Sequence, residues 1–499
     1  MKLKVKGKAL VAAGVLGLAG FAHLFKSSGQ SVSSENRPVR ILETFWPKFH
    51  TDPKSLRTAG DWVGLQNLYS NLVEIKGSLD VRPDLAESWV RSPDGLTWYF
   101  KLRAGLKWSD GTAMTADQVV ASLMRAYPGT THTRLNSYVD AIVSSGDLGV
   151  EFRLKEAPDN FLVMLSYVDL AIVHPSAATA DGFSWNAPSS GPYRARILSD
   201  DRMDLTANKY HWNYSKEIIP EIRLSRSFGD HRDVEALMRE DFDACHIGAG
   251  IVDESEIKDL SEKYTVLTGD SDFLASLFFS SKRVKMGEWP ESLRKAVFKN
   301  VYKGFWKSNP KGALRASGLR PAGTRGSLSF NEFDEAMAGF DEVPSAINGK
   351  RISLLVQKKH SARGSFLKSI DILESLGAAV TVLALDRDEY HRKYDSRDFD
   401  LAFQLLGASE GDPDSAWRIY NDDFALPVAT EPELNRAQLE KDSSRREQLY
   451  KEFERRAIEK ALYIPLKNEV TYIVLSGRVF LDVDLSSDWG LKLSKLRFK

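Results

Sequence analysis

Cysteine is nearly absent. The 499 residues hold one, Cys245, so no disulfide can form within the chain. Its absence fits the cytosol and a cysteine-poor exported protein equally. Cys245 stands beside His246, but adjacent residues rarely point at one ion, and no second Cys/His pair follows at zinc spacing. The thiol reads as a small buried side chain. Surplus charge is absent too: 68 Lys and Arg balance 68 Asp and Glu. A balanced chain has no global field to hold nucleic acid or an anionic membrane. No internal repeat or low-complexity tract stands out.

Catalytic constellations are also missing. There is no His-Glu-x-x-His, no Walker-type phosphate loop and no Gly-x-Ser-x-Gly elbow. Gly248-Ala249-Gly250 lacks the third glycine of a dinucleotide site and reads as a tight turn. Ser365-Phe366-Leu367-Lys368 has the serine–lysine spacing of some acyl enzymes, but it sits in an amphipathic helix without their partner motifs. The nine histidines are scattered and suggest no metal set. The chain therefore reads as a non-enzyme, with no metal and no cofactor.

What is present is a long chain of globular composition, 42% apolar and 27% charged, which calls for two or three packed units. Lys2, Lys4, Lys6 and Lys8 precede an apolar run from Ala9 to Phe25. A charged start and short apolar core is the layout of an export signal, with Gly20 and Ala22 as small residues for cleavage. Residues 1–25 are expected to be a signal peptide or an N-terminal anchor, and no cysteine follows to carry a lipid. The Ser-rich residues 26–37 read as a flexible lead-in. A cleaved chain would begin near His23, in the periplasm.

Residues 39–45 read as a strand, followed by a helical stretch through Leu65, Leu68 and Leu72. Ser92-Pro93-Asp94-Gly95 is a turn. After it Trp98, Phe100 and Leu102 share one face, opposite Thr97, Tyr99, Lys101 and Arg103, giving a hairpin with one wet side. Asp110-Gly111 makes the next turn. Thr115 with Gln118 is a capping box for a helix through Val119 and Leu123, and Ser444 with Glu447 reads as a second. Residues 351–406 alternate strand, helix, strand, helix, strand, with Gly377 as a helix stop. That order implies parallel strands and an α/β unit. Ligands in such sheets bind beyond the strands' carboxyl ends, so Gly407 to Asp414 is a candidate binding loop.

The run Arg82-Pro83-Asp84-Leu85-Ala86-Glu87-Ser88-Trp89, then Ser92-Pro93-Asp94-Gly95-Leu96-Thr97-Trp98, then Phe100 to Thr112 and Thr115-Ala116-Asp117-Gln118, closely resembles extracytoplasmic solute-binding proteins of family 5. These are the dipeptide-, oligopeptide- and nickel-binding proteins of ABC importers. Ser190-Gly191-Pro192-Tyr193, the group Asn208, Tyr210 and Trp212, the helix Leu293-Arg294-Lys295-Ala296-Val297, the acidic-Pro run Asp412-Pro413-Asp414 and Ile464-Pro465-Leu466 extend the resemblance; 303–350 matches poorly.

The resemblance implies an α/β, bilobal periplasmic-binding-protein-like fold (type II, cluster C) with an extra inserted subdomain. Lobe I is expected from 38–68 with 186–268 and 470–499, the subdomain from 69–185 and lobe II from 269–469. It implies capture of a peptide or peptide-like solute between the lobes and delivery to permease subunits of the membrane transporter, by a monomer that binds no nucleic acid. The alternative is a transport-incompetent periplasmic sensor or assembly protein of the same fold. Trp46, Ser190, Tyr193, Ser409, Glu410, Asp412 and Trp417 are the expected ligand-binding residues. In peptide-binding members an aspartate stands three residues before the acidic-Pro pair and holds the α-amino group, with a tryptophan three residues earlier. Here these positions are Ser409 and Leu406. A buried ammonium needs a paired charge, which Ser409 cannot provide; Glu410, next door, offers one from a different angle.

Overall fold

The computed structural model describes residues 37–43, 52–55, 65–76, 80–129, 135–179, 182–248, 252, 254–268, 273–307, 314–318, 326–343, 345–407, 413, 417, 430–482 and 492–499. The expected export segment therefore lies outside the described residues. From Val39 onward the chain is built on two large mixed sheets. The first has seven strands, in the spatial order Tyr193–Ser199, Arg202–Ala207, Glu221–Arg226, Val39–Glu43, Ala244–Ile247, Tyr472–Leu475 and Thr265–Thr268. The second has six: Leu314–Arg315, Tyr463–Glu469, Phe273–Phe279, Leu401–Gly407, Arg351–Gln357 and Ala379–Leu385. The bodies around them are called lobe I and lobe II below.

In lobe II the strand–helix alternation produces the parallel part of the sheet. Arg351–Gln357 pairs in parallel with Ala379–Leu385 on one side and Leu401–Gly407 on the other. The helix between the first two, Gly364–Ser375, buries Phe366, Ser369 and Leu373. It stops where Gly377 takes φ +88° and its N–H reaches the Glu374 carbonyl at 2.9 Å, a conformation nearly free of strain only for glycine. Phe273–Phe279 and Tyr463–Glu469 then add antiparallel strands, brought in from more than a hundred residues away in sequence. A core including Trp289, Phe298, Phe305, Trp417, Tyr450 and Phe453 fills one face.

A four-stranded antiparallel sheet, Ala86–Arg91, Thr97–Leu102, Gly149–Leu154 and Val139–Ser145 in spatial order, forms a separate body with its own core. Trp98 and Phe100 point inward and Lys101 outward. Thr115 and Gln118 make the capping box of helix Ala116–Ala126, and the same Gln118 oxygen accepts from Trp108 Nε1 at 3.0 Å. The box thus fixes a fully buried tryptophan as well as a helix end.

The recognisable strings turn out to build joints. Trp212 Nε1 donates to Asp84 Oδ1 at 2.9 Å, the Asn71 N–H donates to Asp84 Oδ2 at 2.9 Å, and the Arg103 guanidinium lies 3.6 Å over the Trp212 ring. Burial pushes the Asp84 carboxyl up to about 7 against those hydrogen bonds. Gly191 rests on the Leu68–Tyr69 backbone so closely that a Cβ would come within 2.5 Å of the Leu68 carbonyl carbon. Arg294 reaches the carbonyls of Trp289 (2.7 Å), Lys460 (2.7 Å) and Ala461 (3.1 Å), so it ties one helix to the carboxyl end of Ser443–Glu459.

Two local readings need correction. The cap of Ser443–Glu459 is Asp442, whose carboxylate accepts from the Arg445 N–H at 2.8 Å, and not the Ser444–Glu447 pair. A carboxylate just outside the first turn is a better acceptor for the exposed N–H groups than a serine already inside it. Leu72 leads into the strand Val73–Lys76 instead of continuing a helix, and of the helical stretch expected before it only 65–71 is described.

Candidate functional site

The chain crosses between the two sheets twice, from Thr268 to Phe273 and from Glu469 to Tyr472. The register shows which sheet ends meet there. In lobe I, Tyr472 pairs with Ile247 and with Thr268, and His246 is one step in, beside Glu43. In lobe II, Phe273 pairs with Gly407 and with Glu469. The parallel strands ending at Glu43 and Ile247, and those ending at Gln357 and Gly407, thus all direct their carboxyl ends towards the crossings. This is the end of an α/β sheet at which ligands bind.

Side chains on these rims carry unusual charge. In lobe I, His246 Nδ1 and Glu43 Oε1 are 2.9 Å apart, with both side chains buried. In lobe II, Arg363 follows the strand Arg351–Gln357 and precedes the first turn of Gly364–Ser375. It is only 7% exposed. Its Nε donates to His360 Nδ1 at 2.8 Å, while its Nη1 has no partner. The nearby Ser365 hydroxyl, also buried, has none either. Burial brings the Arg363 guanidinium down to about 10, against the opposing pull of Glu469 at the second crossing. Burial, and then Arg363 itself, hold His360 well below the ordinary imidazole range, so it is the neutral acceptor. A buried cation with a free N–H beside a helix N-terminus is a site for an anionic group.

The expected ligand-binding residues divide. Trp46, Ser409, Glu410 and Asp412 lie outside the described residues. Ser190 and Tyr193 are buried, with their hydroxyls bonded to main-chain groups. The Ser190 hydroxyl donates to the Ile172 carbonyl at 2.6 Å and accepts from the Ser70 N–H at 3.0 Å. The Tyr193 hydroxyl reaches the Ile219 and Leu493 carbonyls at 3.1 and 3.2 Å from inside the lobe I core. Trp417 is fully buried against Phe453 in the lobe II core. Arg363 and the Glu43–His246 pair were not singled out by sequence reading. The available signal was position alone, at or just after the ends of strands. Among the described residues no group of three or more His, Cys, Asp or Glu could hold a metal, and no helix is long and apolar enough to cross a membrane.

Residues 80–300 match the family described as bacterial extracellular solute-binding proteins, family 5, middle region. The matched stretch holds the four-stranded sheet and five strands of the seven-stranded one. Among curated relatives, the periplasmic oligopeptide-binding protein OppA of Escherichia coli is 26% identical over 242 residues, 43% of this chain and 44% of its own. The probable deoxycholate-binding periplasmic protein YgiS of the same species is 28% identical over 192 residues, 33% of this chain and 36% of its own. These alignments span less than half the length of the curated relatives. The fold likeness is wider. The periplasmic binding protein DppA of Helicobacter pylori, solved with the peptide STSA, superposes with a TM-score of 0.74 at 17% identity, covering 93% of this chain and 98% of its own. The fold is therefore the bilobal α/β one of periplasmic binding proteins.

Proposed function

We propose that the chain captures a peptide or peptide-like small solute between its lobes and hands it, chemically unchanged, to the permease of an ABC importer. The observation that carries this reading is the convergence of strand carboxyl ends from two sheets on a double crossing. Two lobes joined in this way can rotate about the crossings and enclose a ligand. The names of the relatives support it, since one is oligopeptide-binding and a structural neighbour holds a peptide. On this reading the protein is no enzyme, works as a monomer and resides in the periplasm, freed from or held by its N-terminal segment.

The solute is read as carrying a carboxylate or similar anion, because Arg363 offers an unfilled charge-assisted bond beside the Ser365 hydroxyl. Trp46, Ser409, Glu410 and Asp412 are assigned to the rest of the solute. Ser190, Tyr193 and Trp417 are assigned to the frame. With serine at position 409, the pull on an α-ammonium is weaker by roughly 1.5–3 kcal/mol, the worth of a hydrogen bond to a charged group. Calorimetry with a short peptide, free, N-acetylated or C-amidated, tests this. Acetylation is expected to cost wild type little, amidation to cost roughly ten- to a hundredfold, and Ser409→Asp to favour the free amine. Tight binding of free peptides with no gain from Ser409→Asp would refute the missing-anchor argument, and indifference to amidation would refute the role of Arg363.

A further inference from the structure

The four-stranded subdomain is joined to its two neighbours in unlike ways. Towards lobe I the joint is backbone-rich and half-buried. The Ser109 N–H donates to the Ser189 carbonyl at 3.0 Å, the Ser189 N–H donates to Ser109 Oγ at 2.9 Å, and Trp212 locks onto Asp84. Gly191 packs on backbone, leaving no slack. Subdomain and lobe I therefore move together.

Towards lobe II the contact among the described residues is made by side-chain tips and one long backbone bond, in which the Asp159 N–H donates to the Gln438 carbonyl at 3.5 Å. The Tyr138 hydroxyl donates to Gln438 Oε1, and the Gln438 amide donates to Asn160 Oδ1 at 3.3 Å. Arg446 Nη1 pairs with the Asp159 carboxylate. Leu439 packs against the subdomain's core. Tyr138, Gln438 and Arg446 are buried, while the Asp159 side chain is 40% exposed. On the lobe II side these residues belong to the helices Glu431–Leu439 and Ser443–Glu459. They come from none of the strand ends assigned to the solute. A rotation of lobe II about the two crossings carries Gln438, Leu439 and Arg446 away from Tyr138, Asn160 and Asp159.

We infer that this patch is a latch that holds the lobes closed from outside the solute site, and so sets how long a captured solute stays. The inference rests on the capture reading above. A latch of this kind needs bonds strong enough to bias the closed state and few enough to break together. Among the described residues, one charge pair, one buried amide with two partners, one long backbone bond and one leucine meet that description. The latch adjusts affinity for every solute alike, because it never touches one. Specificity is left to the strand-end residues.

The test is a distance measurement by double electron–electron resonance on the full chain as purified. Spin labels are placed at Val90→Cys in the subdomain and Met286→Cys in lobe II, which are 64% and 61% exposed, in a Cys245→Ser background. The variant pair Tyr138→Phe with Asp159→Asn removes one hydroxyl and one charge without changing shape. The open, long-distance fraction is expected to rise about tenfold relative to the unmodified latch, from the loss of one charge-assisted bond. Should that pair not fold, Asp159→Arg and Arg446→Asp are expected to open the protein singly and to close it again together. An unmodified latch already at the long distance, a folded variant with unchanged distances, or a charge swap without rescue overturns the latch. Native mass spectrometry of the same samples separates the two claims. Lengthened distances in a protein that never carries a solute sustain the latch and refute capture.

Discussion

A guanidinium that is 7% exposed and has a nitrogen without a partner raises the energy of the solute-free protein. Arg363→Met is therefore expected to raise the thermal midpoint of the empty protein, by about 1 kcal/mol or more in stability, while it weakens anionic solutes. A loss of both stability and binding would point to a structural arginine instead. Asp169 gives a second residue-scale test. It is buried, one of its carboxylate oxygens is unpartnered, and burial pushes its pKa up to about 7. A raised carboxyl favours the folded state at low pH, and that contribution is lost as pH rises from the ordinary aspartate range through about 7. Asp169→Asn is expected to flatten the fall in thermal midpoint between roughly pH 4 and 7. A slope identical to wild type would show that the carboxyl is not held neutral. At this scale the sequence was least legible. Ser190 and Tyr193 are expected from sequence to bind the ligand, but composition cannot say whether a hydroxyl faces a cleft or a carbonyl. Glu43 and His246 meet across 203 residues, a pairing that only the sheet register creates.

Elements were more legible where the signal is local. The capping box at Thr115 and Gln118 needs only its own residues and one turn of helix, and it forms. The alternation in 351–406 was readable because the apolar period switches between two and nearly four residues along a short stretch. The box at Ser444 and Glu447 was misread because Asp442 competes for the same N–H groups from a better position. Asp442→Ala is expected to cost about 1 kcal/mol of stability, and Ser444→Ala to stay within about 0.5 kcal/mol of wild type, by chemical denaturation. Equal costs would mean that the cap is shared. The antiparallel strand Phe273–Phe279 fills the centre of the lobe II sheet, yet its partners Leu401–Gly407 and Tyr463–Glu469 lie far along the chain. No local pattern carries such a pairing, so the mixed sheet appeared in sequence only as its parallel half.

For the whole molecule, the family strings around Asp84, Gly191, Trp212 and Arg294 make structural joints, and on the capture reading the solute falls to other residues. That explains why they identify the fold so well and the ligand so poorly. Gly191→Ala drives a Cβ into the Leu68 backbone and is expected to cost about 1–3 kcal/mol by thermal unfolding, with the solute preference of the folded fraction unchanged. The Asp84–Trp212 bracket and Arg294 belong to the same class. Arg363, which keeps one buried N–H without a partner, stands instead at a strand-end rim. The measurement that tests the central claim most directly is native mass spectrometry of the full protein, purified gently from cells grown in rich medium and then stripped by denaturation. The account expects a fraction of the folded chain to carry one extra small mass, released on unfolding as a single solute with an anionic group, and that mass to be lost in Arg363→Met. A bare chain throughout, or an adduct retained equally by Arg363→Met, would contradict it.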